Sequence, residues 1–260
     1  MKITLPDNSS RELPEGSSGY DLAKDIGPGL AKSAIAVTID GVQKDLYDVI
    51  DSDASVSIIT IDSDEGVEIM RHTLTAQVLA RAIKNLYPES KLAIGPTVQD
   101  GFYYDVESDE SISSDDLSKI EEEMKKIIKT KSAITKKLVS KKDALKIFKS
   151  NKEPYKEIII NESDQDDDFQ LYYQDDEEFV DLCRGPHLPN LGFIGSFKLT
   201  KVSGAYWKGD SKNSMLTRIY GTAFSNDKDL QNHLDNIEEA LKRDHRKLGK
   251  EMDLFHFQDE

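Results

Sequence analysis

The stretch "RHTLTAQVLARAIKNLYP", Arg71 to Pro88, carries the clearest periodicity in the chain. Leu74, Val78, Leu79, Ala82, Ile83 and Leu86 recur at helical spacing, which predicts a helix over Ile69 to Tyr87 that Pro88 closes. Downstream, "KLAIGPTVQDGFYYDVE" reads as strand, turn and strand. Ser114 to Lys131 reads as a second helix opened by an acidic cap, and "KKDALKIFKSN" as a third. "EIII", "FQLYYQ" and "EFVDL" are strand candidates around an acidic loop. "GFIGSFKLTKVSGAYWKGD" and "MLTRIYGTAF" add further β structure, and Asp227 to Glu251 closes as a long charged helix.

Upstream, "KITLP" and "SSRELP" flank Asp7-Asn8 as a hairpin. "GSSGYDLAKDIG" supplies a serine cap, a short helix and a glycine stop at Gly27. "AIAVTIDG" and "SVSIITI" are β-rich runs, the first ending in the turn signal Asp40-Gly41. Together they predict a ββαββ sheet of β-grasp type, joined to the rest through "DSDEG", Asp62 to Gly66. This first unit holds no His, no Cys and no phosphate loop, and reads as a binding module.

The 260 residues carry a net charge of −15, which at first argues against a nucleic-acid partner. The charge is segregated, however. Lys125 to Lys152 holds eleven lysines and one acid, whereas Asn161 to Glu178 holds nine acids and no base. A local basic face is what meets a phosphate, so a nucleic-acid partner stays open. No run of eighteen apolar residues encodes a membrane span, and "MKITLPDNSS" lacks a secretory h-region. A single cysteine fits a reducing cytoplasm.

Chemistry-bearing residues are few. His72 opens the best helix, but positions 75 and 76 are Thr and Ala, so no helical partner stands three or four residues on. Gln77 lies five on, about 140° around an α-helix, and a π-bulge would bring it onto the His72 face. In "VDLCRGPH", Cys183 and His187 are four apart across Gly185-Pro186, hence on a loop. With His72 they would supply three zinc ligands; alternatively Cys183 is a nucleophile with His187 as base, or an ordinary buried thiol. "GAYWKGD", Gly204 to Asp210, has the aromatic and basic character of a single-strand contact or of a capped strand, and "KRDHRKLGK", Lys242 to Lys250, is basic enough to touch phosphate.

In order along the chain, "RHTLTAQVLARAIKNLYP", "AIGPTVQDGFYYD", "DLCRGPH", "GAYWKGD", "RIYGTAF" and "KRDHRKLGKEMDLFHFQDE" resemble the N-terminal half of bacterial threonyl-tRNA synthetases. The resemblance implies an α+β chain. A small β-grasp (ubiquitin-like) TGS domain would span 1–62, and a larger α+β editing domain with an antiparallel sheet 66–224. A linker helix would follow at 227–252, with the start of an absent aminoacylation domain at 253–260. It implies hydrolysis of serine mischarged onto threonine tRNA by an activated water. The partner would be the tRNA 3′ end and acceptor arm, with a tRNA-binding module that has lost hydrolysis as the alternative. ATP and zinc would belong to the absent catalytic domain, with no cofactor or metal here and no membrane. The whole protein would be a homodimer and this part a monomer.

By motif, the resemblance assigns His72, Lys156 and Asp181 to catalysis. Lys156 would precede a strand. Tyr104, Cys183, His187 and Gln77 would line the substrate site. Gln77 stands where the family has a second helical histidine, because this chain carries one extra residue between "RH" and "AIKNLYP".

Overall fold

A computed structural model of the chain describes residues 1–174 and 179–243. The N-terminal unit starts with β1 (Lys2–Thr4) and β2 (Ser10–Glu12) around a turn in which Asn8 takes a left-handed φ of 66°. Ser18 and Asp21 form a capping box that starts α1 (Gly19–Ile26), and Gly27 ends it. Pro28, with φ preset for a first turn, then opens α2 (Pro28–Ser33), a helix the sequence reading did not include. β3 (Ala34–Ile39), β4 (Val42–Asp45) and β5 (Ala54–Thr60) follow, with the β3–β4 hairpin turning at Asp40 and Gly41, both at positive φ. Strand order is β2-β1-β5-β3-β4, with β1 parallel to β5. Ile3, Leu22, Val37, Leu46, Ile50 and Val56 fill its core. The β-grasp expectation holds.

The expected linker is shorter than "DSDEG". Ser63 accepts a hydrogen bond from the Gly66 backbone and caps α3 (Asp64–Thr73), because Asp64 and Glu65 favour the positive end of a helix. The helix runs on through a π turn (Leu74–Leu79), where the Ala80 N–H reaches back five residues to the Thr75 carbonyl, into α4 (Ala80–Leu86). β6 (Lys91–Leu92), β7 (Thr97–Val98), β8 (Gly101–Glu107), α5 (Leu117–Lys129), β9 (Ile134–Val139), α6 (Lys141–Ser150) and α7 (Pro154–Glu162) come next. After them run β10 (Phe169–Gln174), β11 (Val180–Leu182), β12 (Ser196–Tyr206), β13 (Met215–Phe224) and α8 (Asp227–Lys242).

These strands make two antiparallel sheets, β12-β13-β8-β6 with β7 beside β8, and β11-β10-β9. The long helix buries Leu74, Val78, Leu79 and Ile83 in one core with Phe102, Tyr104 and Ile219 of the larger sheet and with Ile120 and Met124 of α5. Burial of this kind stabilises by about 1.5–3 kcal/mol per large apolar side chain, which is what holds the helix in place; since it starts at Asp64, His72 lies inside it and not in its first turn.

One strand expectation is overturned. "EIII", Glu157 to Ile160, lies in α7, so Lys156 sits in the first turn of a helix and does not precede a strand. Pro154 suits a helix start, and Ile160 packs against Ala144 and Phe148 of α6 while Ile159 packs toward Trp207. Tertiary packing outweighs the β preference of three isoleucines. "EMDLFHFQDE", the end of the expected linker helix and most of "KRDHRKLGK" lie outside the described residues.

Candidate active site

A cleft of about 840 Å³ opens between the long helix, α7 and the end of β11. His72, Ala76, Gly95, Lys156, Asp181 and Cys183 are among the residues lining it. They come from several pieces of the fold. His72 lies in the last turn of α3 and Tyr104 in the middle of β8. Asp181 is the central residue of β11, paired with Tyr172 of β10. Lys156 is carried by α7, which Glu153 ties down by an ion pair to Lys84 (2.9 Å) and by accepting the Leu92 backbone N–H (2.6 Å).

Two groups of side chains meet there. In the first, Lys156 Nζ lies 2.5 Å from Asp181 Oδ1 and donates to Tyr104 Oη at 3.3 Å, and the Leu182 N–H also donates to Asp181 Oδ1. Both charged side chains are almost wholly buried. An ammonium in such surroundings needs its carboxylate, so the pair is retained as a unit. Burial pushes the Asp181 carboxyl up against the opposing pull of Lys156. Burial, then the Asp181 charge, holds the Tyr104 phenol well above its ordinary value.

In the second group, His72 Nε2 lies 2.7 Å from Cys183 Sγ, and the His187 ring stacks on His72 at 4.7 Å between centroids. His187 Nδ1 meets Thr73 Oγ1 at 3.1 Å, and that oxygen accepts the Leu188 backbone N–H. Burial pushes the Cys183 thiol up to about 12 and the His72 imidazole down to about 4. His187 is held well below the ordinary range by burial and by His72 beside it. At neutral pH all three are therefore uncharged. The neutral thiol and the neutral imidazole thus share one hydrogen bond at His72 Nε2.

Burial of two neutral histidines makes folding pH-dependent. Their folded-state pKa values lie below the unfolded ~6.5, so the unfolded chain binds more protons between those limits. Stability is therefore full above about pH 6.5 and is lost as pH falls toward the folded value of about 4 for His72. The melting temperature is expected to drop from pH 7 to pH 5, and His72→Asn, which stays neutral, to flatten part of that drop; a pH series of thermal melts checks both.

The donor atoms of His72, Cys183 and His187 all lie within 4.8 Å of one another, a set that suits zinc in kind. Zinc bonds of about 2.0 Å to nitrogen and 2.3 Å to sulfur would set the His72 and Cys183 donors roughly 3.5 Å apart, so the 2.7 Å contact would have to open. The next helical position on that face, Ala76, offers no ligand.

The cleft thus brings together His72, Lys156, Asp181 and Cys183, with Tyr104 against the ion pair and His187 behind His72. Gln77 is placed elsewhere. The π turn is present, yet Gln77 is fully buried beside β10, where Gln174 Nε2 donates to its backbone carbonyl at 2.8 Å and approaches Oε1 at 3.5 Å. Gln174, itself fully buried, offers that amide a polar neighbour, and Ala76 takes the cleft position. Residues not foreseen are Thr73, Tyr172 and Asp45, which surround His187; only Thr73, next to His72, had a neighbour in sequence to draw notice.

Two family models match the chain: the TGS domain over residues 1–60, and the threonyl and alanyl tRNA synthetase second additional domain over residues 170–220. The chain is 49% identical, over 99% of its length, to a threonine–tRNA ligase of Prochlorococcus marinus, and it spans 40% of that relative. Among the described residues no helix is long and apolar enough to cross a membrane.

Proposed function

For a chain related to the threonine–tRNA ligases and carrying a TGS domain and the second additional domain, we propose that the cleft hydrolyses serine wrongly esterified to threonine tRNA. The observation that carries this is the buried Lys156–Asp181 pair facing the neutral His72 across one cleft. A ligase site for threonine discriminates against the smaller serine by only about 1–3 kcal/mol, because one methyl is worth no more. A second site that admits what is small enough corrects this.

In the reaction, water adds to the ester carbonyl carbon and the carbon–oxygen bond to the terminal ribose breaks. The proton released by the water ends on the departing ribose oxygen. Lys156 supplies a fixed positive charge beside the developing oxyanion, and Asp181 keeps that charge in place. His72 holds the water, uncharged throughout the neutral range. Cys183 and His187 shape the wall, and the extra methyl of threonine is kept out by sterics. An activated ester needs no more than this, so no cofactor takes part; ATP and zinc would serve the ligase step elsewhere in a longer protein, a homodimer acting in the cytoplasm. The TGS unit spans 1–62 and the hydrolytic unit runs from α3 to residue 224, with the tRNA 3′ end and acceptor arm as partner.

The test mixes this chain with serine-charged and threonine-charged threonine tRNA and follows ester loss. Serine is expected to be released roughly 10–200-fold faster than threonine. Loss of neither above background, with tRNA binding intact, would make the cleft a grip only. The His72, Cys183 and His187 donor set favours one second reading, metal-assisted hydrolysis. Stimulation by zinc and inhibition by a chelator would establish it, and a chelator-insensitive rate is expected.

A further inference from the structure

The first unit meets the second through Ile35, Ala36 and Ile59 of its sheet and through the carboxylates of Asp45 and Asp48. Asp45, the last residue of β4, accepts the His187 backbone N–H on Oδ1 at 2.8 Å. Its Oδ2 accepts the Tyr172 hydroxyl at 2.8 Å and pairs with Lys136 Nζ at 2.9 Å. Lys136, Tyr172 and Asp181 are register neighbours across β9, β10 and β11, so one cross-strand row runs from this carboxylate to the catalytic pair. The Tyr172 ring meets His187 edge-on at 4.3 Å, and His187 stacks in turn on His72. Gly185, with φ of +63°, lets the loop before His187 pass the Tyr172 hydroxyl, where a Cβ would collide with it.

We propose that Asp45 is a positioning residue for the cleft: from the TGS unit it anchors the loop of Cys183 to His187 and the Tyr172 ring, and through His187 it fixes the plane of His72. This rests on the hydrolytic reading for its catalytic consequence, but not for its structural one. A carboxylate serves here because three donors, one of them an ammonium, converge on two oxygens. The cost of losing it follows from geometry. The catalytic groups are untouched, but a ring displaced by even ~1 Å can lose about 10²-fold in rate. The TGS unit, which has no catalytic residue of its own, then acts on the reaction by holding one wall of the cleft.

The experiment compares the whole chain with Asp45→Ala, Asp45→Asn and Asp48→Ala. Asp48 shares Lys136 at 2.5 Å and accepts the Asp45 backbone N–H at 3.2 Å, but its side chain touches neither His187 nor Tyr172, so it controls for loss of the ion pair and of the turn that closes β4. Two readouts are taken at pH 7, both after thermal melts confirm folding: the ring-proton resonances of His72 and His187, and kcat and KM for serine-ester loss. Asp45→Ala is expected to shift both ring signals and to lower kcat at least about tenfold with KM nearly unchanged. Asp45→Asn, which still accepts hydrogen bonds, is expected to recover most of both, and Asp48→Ala to match the parent. Unmoved ring resonances in Asp45→Ala would overturn the proposal, as would an effect reproduced in full by Asp48→Ala. If the parent chain hydrolyses nothing, the hydrolytic reading fails while the ring resonances still decide the role of Asp45.

Discussion

Lys156→Met is expected to lower kcat/KM for serine-ester loss by about 10²–10³-fold, the cost of removing a preorganised charge beside an oxyanion. It should also destabilise the fold by about 3–5 kcal/mol, since Asp181 is then buried without its cation. The two losses have different origins and can be separated. In Lys156→Met/Asp181→Leu both charges are gone and two apolar side chains of similar size fill the space. Such a replacement of a buried pair is often neutral or stabilising by about 1–4 kcal/mol. Stability is therefore expected to return in the double variant while activity does not. Denaturant unfolding of the parent and both variants, alongside single-turnover hydrolysis, checks this. Activity that returned together with stability would show Lys156 to be scaffolding only.

The resemblance brings Lys156 and Asp181 into one site, with Asp181 to hold Lys156 or to recognise the serine amine, but the bare residues do not. Nothing in "EPYKEIII" announces a lysine buried against Asp181, and the isoleucines there read as a strand. What makes the segment a helix is a proline at its start and apolar partners on two sides, from the preceding α6 and from Trp207, which lies far along the chain. The π turn, by contrast, was legible against the family pattern: one extra residue between "RH" and "AIKNLYP" has few ways to be absorbed in a helix that must keep its buried face. Its consequence for Gln77 was not, because that depended on Gln174, about a hundred residues on and fully buried against it. The β-grasp unit was legible from turn and cap signals, which are local. Asp45 was not, because its partners His187, Tyr172 and Lys136 all belong to the other unit.

His72→Ala is expected to slow serine-ester loss by about 10²-fold or more, within the range that one positioned proton-handling group contributes. Cys183→Ala is expected to stay within about tenfold of the parent, since it removes only a neighbour of the reacting groups. The contrast follows from the environment the two share. With the thiol pushed up to about 12, roughly one molecule in 10⁵ carries a thiolate at pH 7, too few for a nucleophile. The same burial keeps His72 neutral down to about pH 4, so its ring can hold water across the whole neutral range. The parent should therefore show no histidine-like inflection in kcat between pH 6 and pH 8, and alkylating reagents aimed at thiols should leave the rate unchanged. A rate lost on Cys183→Ala and retained on His72→Ala would invert the assignment and make the cysteine the reacting group. The pair of substitutions decides between water and thiol on one substrate, with the same ion pair present in both.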